Sequence, residues 1–63
     1  MTENKLRSLI EENDGEIVFS DGFVLTDWTG GQFCQYTPDQ VFGEGTVCNY
    51  EAAEQFYFEH KEF

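Results

Sequence analysis

The stretch Glu16–Tyr36, EIVFSDGFVLTDWTGGQFCQY, decides the fold. It contains three apolar runs separated by two glycine turns, Asp21-Gly22 and Gly30-Gly31. Such dipeptides between apolar runs are strong β-hairpin signals, because their residues tolerate the positive φ values that tight turns require. The sequence therefore predicts three short antiparallel strands joined by two hairpins.

Two-residue loops would fix the register of both hairpins. Glu16 would then face Asp27 across the first hairpin, and Trp28 would face Phe33 across the second. Apolar side chains would fall on both faces, so both faces need a cover, or one of them receives a partner. The adjacent Glu16 and Asp27 are either a solvated strand end or a surface that awaits a cation. The prediction assigns Ile17, Phe19, Val24, Trp28 and Phe33 to one face, and Val18, Phe23, Leu25, Cys34, Tyr36, Glu16 and Asp27 to the other.

The segment before the sheet predicts a helix from Thr2 to about Glu12. Thr2 is a suitable N-cap, and Asn13-Asp14-Gly15 is a typical helix end. One stripe at helical spacing carries the apolar side chains that would dock on the sheet. These are Leu6, Leu9 and Ile10.

The segment after the sheet predicts three further elements. Residues 37–45 form at most a one-turn helix or a folded loop, because Gly43 and Gly45 interrupt any helix that starts at Thr37-Pro38. Residues 46–50 fit a short fourth strand. From Asn49 onward the chain favours a helix whose apolar stripe is Ala53, Phe56, Tyr57 and His60, although residues 55–60 also carry strand-favouring aromatics. Phe58 and Phe63 lie off that stripe.

The predicted architecture is a small single α+β domain over residues 1–63. It comprises an N-terminal helix, a three- to four-stranded antiparallel sheet and a C-terminal helix. With 63 residues the chain is near the lower limit for a domain held by one apolar core, so a homodimer is as compatible with the size as a monomer.

Net charge is the most extreme property of the sequence. Thirteen Asp and Glu against three Lys and Arg give a formal net charge of −10. A polyanion of this kind is repelled by nucleic acid and by anionic membranes, so the expected partner is a basic protein rather than either of these.

No constellation of residues predicts catalysis, a cofactor or a metal. Cys34 and Cys48 lack metal-ligand spacing, and His60 is the only histidine. Both cysteines are expected to be apolar core residues, with a disulfide between them as the alternative. Pairs such as Glu16 and Asp27 arise by chance among thirteen acids, so a non-catalytic protein is expected.

No signal peptide or membrane-spanning run is visible, and a cytoplasmic location is expected. For a phage-encoded protein, this would be the cytoplasm of the host cell.

A small, strongly acidic, aromatic-rich chain without catalytic motifs resembles the phage and mobile-element proteins that block host defence, among them anti-CRISPR proteins and DNA mimics. The resemblance is one of class and covers the whole chain through its composition. It implies that carboxylates stand in for phosphates in the basic channel of a nucleic-acid-binding protein, for example a subunit of a type I CRISPR surveillance complex.

The carboxylates expected to form this acidic surface lie on both predicted helices, in the sheet and in the loop after it. They are Glu11, Glu12, Asp14, Glu16, Asp27, Glu44, Glu51, Glu54 and Glu59. The alternative function is a small acidic structural or regulatory interaction domain, such as a halophile's protein. A halophilic protein should gain stability toward molar salt, whereas a mimic should lose its partner as salt rises.

Overall fold

The computed structural model describes residues 1–29, 31–41 and 43–61. The predicted positions of the Trp28 side chain, Gly30 and Phe63 lie outside that description. Four strands form one antiparallel sheet in the order β1-β2-β3-β4, and a helix precedes and follows it. The predicted α+β architecture is confirmed. The elements are α1 (Glu3–Glu12), β1 (Glu16–Val18), β2 (Val24–Thr29), β3 (Gln32–Tyr36), β4 (Thr46–Cys48) and α2 (Tyr50–His60).

Both helices begin at the predicted caps. The hydroxyl of Thr2 accepts a hydrogen bond from the backbone N–H of Lys5 at 3.2 Å, and the side-chain oxygen of Asn49 accepts one from Ala52 at 2.9 Å. These contacts satisfy N–H groups that have no partner in the first turn of a helix. The alternative of a strand over residues 55–60 is wrong, because α2 continues to His60.

The predicted register of the first hairpin is wrong by one residue. Val18 pairs with Val24 and Glu16 pairs with Thr26, so Phe19 lies opposite Phe23 and residues 20–22 form a three-residue loop instead of the predicted two-residue loop. Gly22 has φ +92°, the left-handed value required at the last position of a three-residue loop. Phe19 N–H donates to the carbonyl of Phe23 at 2.8 Å and closes that loop.

The second hairpin starts in the predicted register and then departs from it. Thr29 pairs with Gln32, as a two-residue loop requires, but Thr26 pairs with Cys34 rather than with Gln35. The shift between Thr26 and Thr29 is a β-bulge, in which one strand carries an extra residue. Glu16 and Asp27 are therefore not neighbours across the sheet, and the predicted carboxylate pair is wrong.

The corrected register redistributes the apolar side chains. Side chains alternate along a strand, so Leu25 lies on the same face as Ile17, while Val24 shares the opposite face with Val18 and Tyr36. The predicted faces of Val24 and Leu25 are wrong for this reason. Phe23 shares the face of Leu25, as predicted, but both pack against the core that contains Phe19, which was predicted to lie on the opposite face. Both helices pack on the face of the sheet that carries Leu25, which we call the helix face. The core between the helices and this face contains Leu6, Ile10, Phe19, Leu25, Phe33, Ala53 and Phe56.

The opposite face of the sheet is covered by the chain between β3 and β4. We call residues 37–41 and 43–45 the crossing segment and the face beneath it the loop face. The crossing segment forms a folded loop in which Gln40 N–H donates to the carbonyl of Thr37 at 3.2 Å. Gly45 lies so close to the sheet that an added Cβ would be 2.7 Å from the Cys34 sulfur. Both faces of the sheet are thus covered within one chain, although Val18 and Val47 remain exposed.

Both cysteines are free thiols, so the alternative of a disulfide between them is wrong. Cys34 pairs with Val47 and Cys48 pairs with Phe33, which places the two side chains on opposite faces of neighbouring strands. Cys34 is buried beneath the crossing segment, as expected for a core residue. Cys48 is partly buried against the core, and this burial raises the pKa of its thiol.

Candidate acidic binding surface

Three exposed carboxylates lie where α1 ends and turns toward the sheet. Glu11 and Glu12 are the last two residues of the helix, and Asp14 follows in the turn with φ 64°. We call these three the α1-end carboxylates. The C-terminal end of a helix carries partial negative charge, so acidic side chains there cost stability where basic ones would add it. The last turn of α1 contains no basic residue. Nothing in the helix itself explains this placement.

Most cationic groups of the chain are already in contact with its own side chains. Arg7 bonds Glu3 at 2.8 Å and Asp27 at 3.4 Å, and its guanidinium lies 4.4 Å from the centre of the Phe33 ring. The N-terminal amine is 3.8 Å from Glu54, and Lys61 lies over the Phe58 ring. The remaining basic side chain, Lys5, makes no ion pair with a described residue. Among described residues, eight carboxylates have no ion pair: Glu11, Glu12, Asp14, Glu16, Asp39, Glu44, Glu51 and Glu59.

Several of the carboxylates predicted for the binding surface take part in contacts within the fold. Asp27 binds Arg7, Glu54 accepts a hydrogen bond from the Tyr50 hydroxyl, and Glu44 accepts one from the backbone of Val41. Glu59 accepts a bond from Gln55, and Glu51 occupies the first turn of α2, where the helix dipole favours it. The structure brings together Glu11, Glu12, Asp14 and Glu16 at the α1–β1 corner. The other predicted carboxylates lie in β2, the crossing segment and α2.

A cavity of about 190 Å³ opens on the loop face beside this corner. Sheet residues form its floor, the crossing segment forms one wall, and the first hairpin loop meets the crossing segment at one side. Gly22 allows that meeting, because a Cβ there would lie 3.1 Å from the Pro38 ring. We call it the loop-face cavity. Its lining includes Glu16, Val24, Thr26, Tyr36, Pro38 and Gln40.

Glu16 is the charged side chain of the loop-face cavity. It is half-buried, and no cation of the described chain lies within ion-pair distance of it. Thr26 beside it is only 2% exposed and also lines the cavity. The Gln40 amide has both ends occupied, because its oxygen accepts from the backbone of Thr37 and its nitrogen donates to the carbonyl of Glu44. The Tyr36 hydroxyl accepts from Gly43.

A second polar contact joins α2 to the first hairpin loop. The Nδ1 atom of His60 lies 2.7 Å from an oxygen of Asp21, and its ring stacks on Phe23 with the centroids 4.3 Å apart. Hydrogen bonding from His60 lowers the pKa of the Asp21 carboxyl below its ordinary value. His60 therefore ties the end of α2 to the loop that borders the cavity.

Sequence reasoning found the α1-end carboxylates but not the cavity. Val24, Thr26 and Tyr36 share the loop face only in the corrected register, and the crossing segment could not be placed over them from residue types. The one available signal was the two-sided apolar pattern of β1 and β2, which required a cover on each face.

Within the described ranges, no three Asp, Glu, His or Cys side chains are grouped as metal ligands. Neither α1 nor α2 has the length and apolar character needed to cross a bilayer. No protein-family model, curated protein or solved structure matches this chain.

Proposed function

We propose that this protein is a non-catalytic inhibitor that binds a basic nucleic-acid-binding protein through its acidic surface and competes with nucleic acid. The binding surface is centred on Glu11, Glu12, Asp14 and Glu16. The specific form of the proposal is an anti-CRISPR protein that prevents DNA binding by a type I surveillance complex in the host cytoplasm, a choice suggested by the class resemblance.

The observation that carries the proposal is the unfavourable position of the α1-end carboxylates. Each negative charge near the C-terminal end of a helix lowers the stability of the fold by about 0.3–1 kcal/mol, because that end is itself partly negative. No basic side chain in the last turn of α1 offsets this loss. A basic surface of a partner would neutralise both the side chains and the helix end. These carboxylates are therefore better suited to the bound state than to the free protein.

Charge density supports the same reading. The longest dimension of the domain is 30 Å, and the net charge of the chain is −10. A DNA duplex of that length carries about 18 phosphates, at roughly one per 1.7 Å of helix axis. The protein thus presents about half the charge of duplex DNA on a folded scaffold, enough to attract a groove evolved for a polyanion.

The test is capture from host lysate on immobilised protein, with two variants that lose the same charge. One variant carries Glu11→Gln, Glu12→Gln and Asp14→Asn. The matched control carries Asp39→Asn, Glu44→Gln and Glu51→Gln, three exposed carboxylates outside the α1–β1 corner.

The proposal predicts that wild type and control retain a basic nucleic-acid-binding protein that duplex DNA displaces, whereas the α1-end variant does not. Loss of three phosphate-like charges should also weaken the salt dependence of partner binding. Equal retention by both variants, or retention indifferent to DNA and salt, would contradict it. Greater stability in molar salt, with no basic protein captured, would instead favour the acidic interaction domain.

A further inference from the structure

We infer that the loop-face cavity binds the guanidinium of one arginine side chain presented by a protein partner, with Glu16 as its counter-charge. The source of that arginine, a basic protein, rests on the proposed function. The cavity itself and its chemistry do not depend on it.

The size of the cavity sets the class of ligand. Its volume is about 190 Å³. Pockets that enclose small molecules and cofactors range from about 300 to 1,000 Å³. The loop-face cavity is thus suited to the end of one side chain.

The free polar groups of the cavity select a hydrogen-bond donor with positive charge. Glu16 is an acceptor when ionised, and no described cation satisfies it. The Gln40 oxygen accepts from Thr37 and one of its N–H groups donates to Glu44, while the Tyr36 hydroxyl accepts from Gly43 and keeps its own O–H as a donor. Thr26, on the sheet floor beside Glu16, adds a hydroxyl that can accept a hydrogen bond or donate one. A neutral or anionic group would leave the half-buried carboxylate without a counter-ion.

The walls favour a guanidinium over an ammonium group. Tyr36, Val24 and Pro38 contribute ring and apolar surface around Glu16. A guanidinium is planar, stacks on aromatic faces and is more weakly hydrated than an ammonium. It therefore loses less hydration free energy when it enters such a site.

The same chain already holds one arginine in this manner. Arg7 lies over the ring of Phe33, and its edge nitrogens bond Glu3 and Asp27. The loop-face cavity offers the corresponding groups, an aromatic ring and a carboxylate, and no cation of the described residues pairs with that carboxylate.

The experiment is an NMR titration of the full chain with N-acetyl-arginine-N-methylamide. The citrulline analogue is the neutral isostere, and the lysine analogue supplies charge without the planar group. Binding should shift the resonances of Val24 and Thr26, weaken by about tenfold in Glu16→Gln, and stay within about twofold of wild type in the matched control Asp39→Asn. Thr26→Val, a near-isosteric change in the cavity wall, should also weaken binding.

Equal binding of the citrulline or lysine analogue, or shifts spread over exposed carboxylates and unchanged in Glu16→Gln, would overturn the inference. So would unchanged binding in a folded Thr26→Val together with a folded Glu16→Gln. Capture of a basic partner without probe binding overturns the cavity assignment and leaves the proposed function standing. Probe binding in the cavity without such capture supports the assignment and counts against the proposed function.

Discussion

Replacing Asp27 with asparagine should destabilise the fold, although it removes a negative charge from a chain with a net charge of −10. Arg7 lies 3.4 Å from the Asp27 carboxylate, and the two side chains are 30% and 19% exposed. At an exposed position without an ion pair, such as Asp39, the same change relieves repulsion and should leave stability unchanged or slightly higher. Asp27→Asn should therefore lower the free energy of unfolding, whereas Asp39→Asn should not.

The magnitude follows from the distance and the partial burial. Two unit charges about 4 Å apart attract by about 4 kcal/mol at an effective dielectric constant of about 20. Desolvation and solvent screening of partly exposed groups reduce the net contribution to about 1 kcal/mol. In a domain of this size, that corresponds to a fall in midpoint temperature of about 4–8 °C.

The assay is thermal and urea unfolding followed by circular dichroism. Arg7→Ala, Asp27→Asn and the double variant form a cycle whose coupling energy should be about 1 kcal/mol at low salt and smaller near 1 M salt, where the Debye length is about 3 Å. If Asp27→Asn were as stable as Asp39→Asn, or if the coupling were below about 0.2 kcal/mol, this account of the α1–sheet contact would be refuted.

Three further changes test the packing and the loop contacts. Gly45→Ala should cost about 1–3 kcal/mol in urea unfolding, because the new Cβ would lie 2.7 Å from a sulfur and 2.8 Å from a backbone carbonyl; wild-type stability would contradict the placement of the crossing segment. Phe56→Ala should lower the free energy of unfolding by about 3–5 kcal/mol, which is a large part of the stability of a 63-residue domain. Replacing the exposed Phe58 with alanine should change it by less than about 0.5 kcal/mol, and equal effects of the two substitutions would contradict the packing of α2. Because hydrogen bonding from His60 lowers the pKa of Asp21 below 3.8, the stability it contributes is present above that pH and is lost as pH falls through the lowered value. Asp21→Asn should therefore lose less stability than wild type between pH 4 and pH 2, and parallel pH profiles would exclude the contact.

The helices and the architecture could be predicted because their signals are local. Thr2 and Asn49 form the predicted caps, and each helix buries residues of its predicted apolar stripe against the sheet. Such patterns depend on residues within one turn of each other, so they survive without knowledge of the tertiary structure.

The strand register could not be predicted for a physical reason. Asp21-Gly22 fits a two-residue loop and equally the last two positions of a three-residue loop, since both need glycine at positive φ. Continuous apolar residues before and after the turn make either register acceptable to the core. The one-residue difference exchanges the faces of Val24 and Leu25 relative to β1. It also separates Glu16 from Asp27.

For the candidate site, the sequence predicted which residues are acidic but not how they are arranged. The sequence marked nine carboxylates, but residue type does not reveal that Asp27 has an internal cation or that Glu16 lines a cavity. Both facts depend on the bulge in β2 and on the path of the crossing segment, neither of which has a local signature.

Competition with nucleic acid through the α1-end carboxylates is tested most directly by measuring DNA binding by a purified type I surveillance complex in the presence of this protein. The readout is the fluorescence anisotropy of labelled target DNA. The protein should displace DNA, and the Glu11→Gln, Glu12→Gln, Asp14→Asn variant should raise the inhibition constant by about 10- to 150-fold, from about 0.5–1 kcal/mol per lost contact. The matched control at Asp39, Glu44 and Glu51 should change it by less than about threefold. Full DNA binding at saturating protein, or equal inhibition by the two variants, would show that the α1-end carboxylates do not compete with DNA.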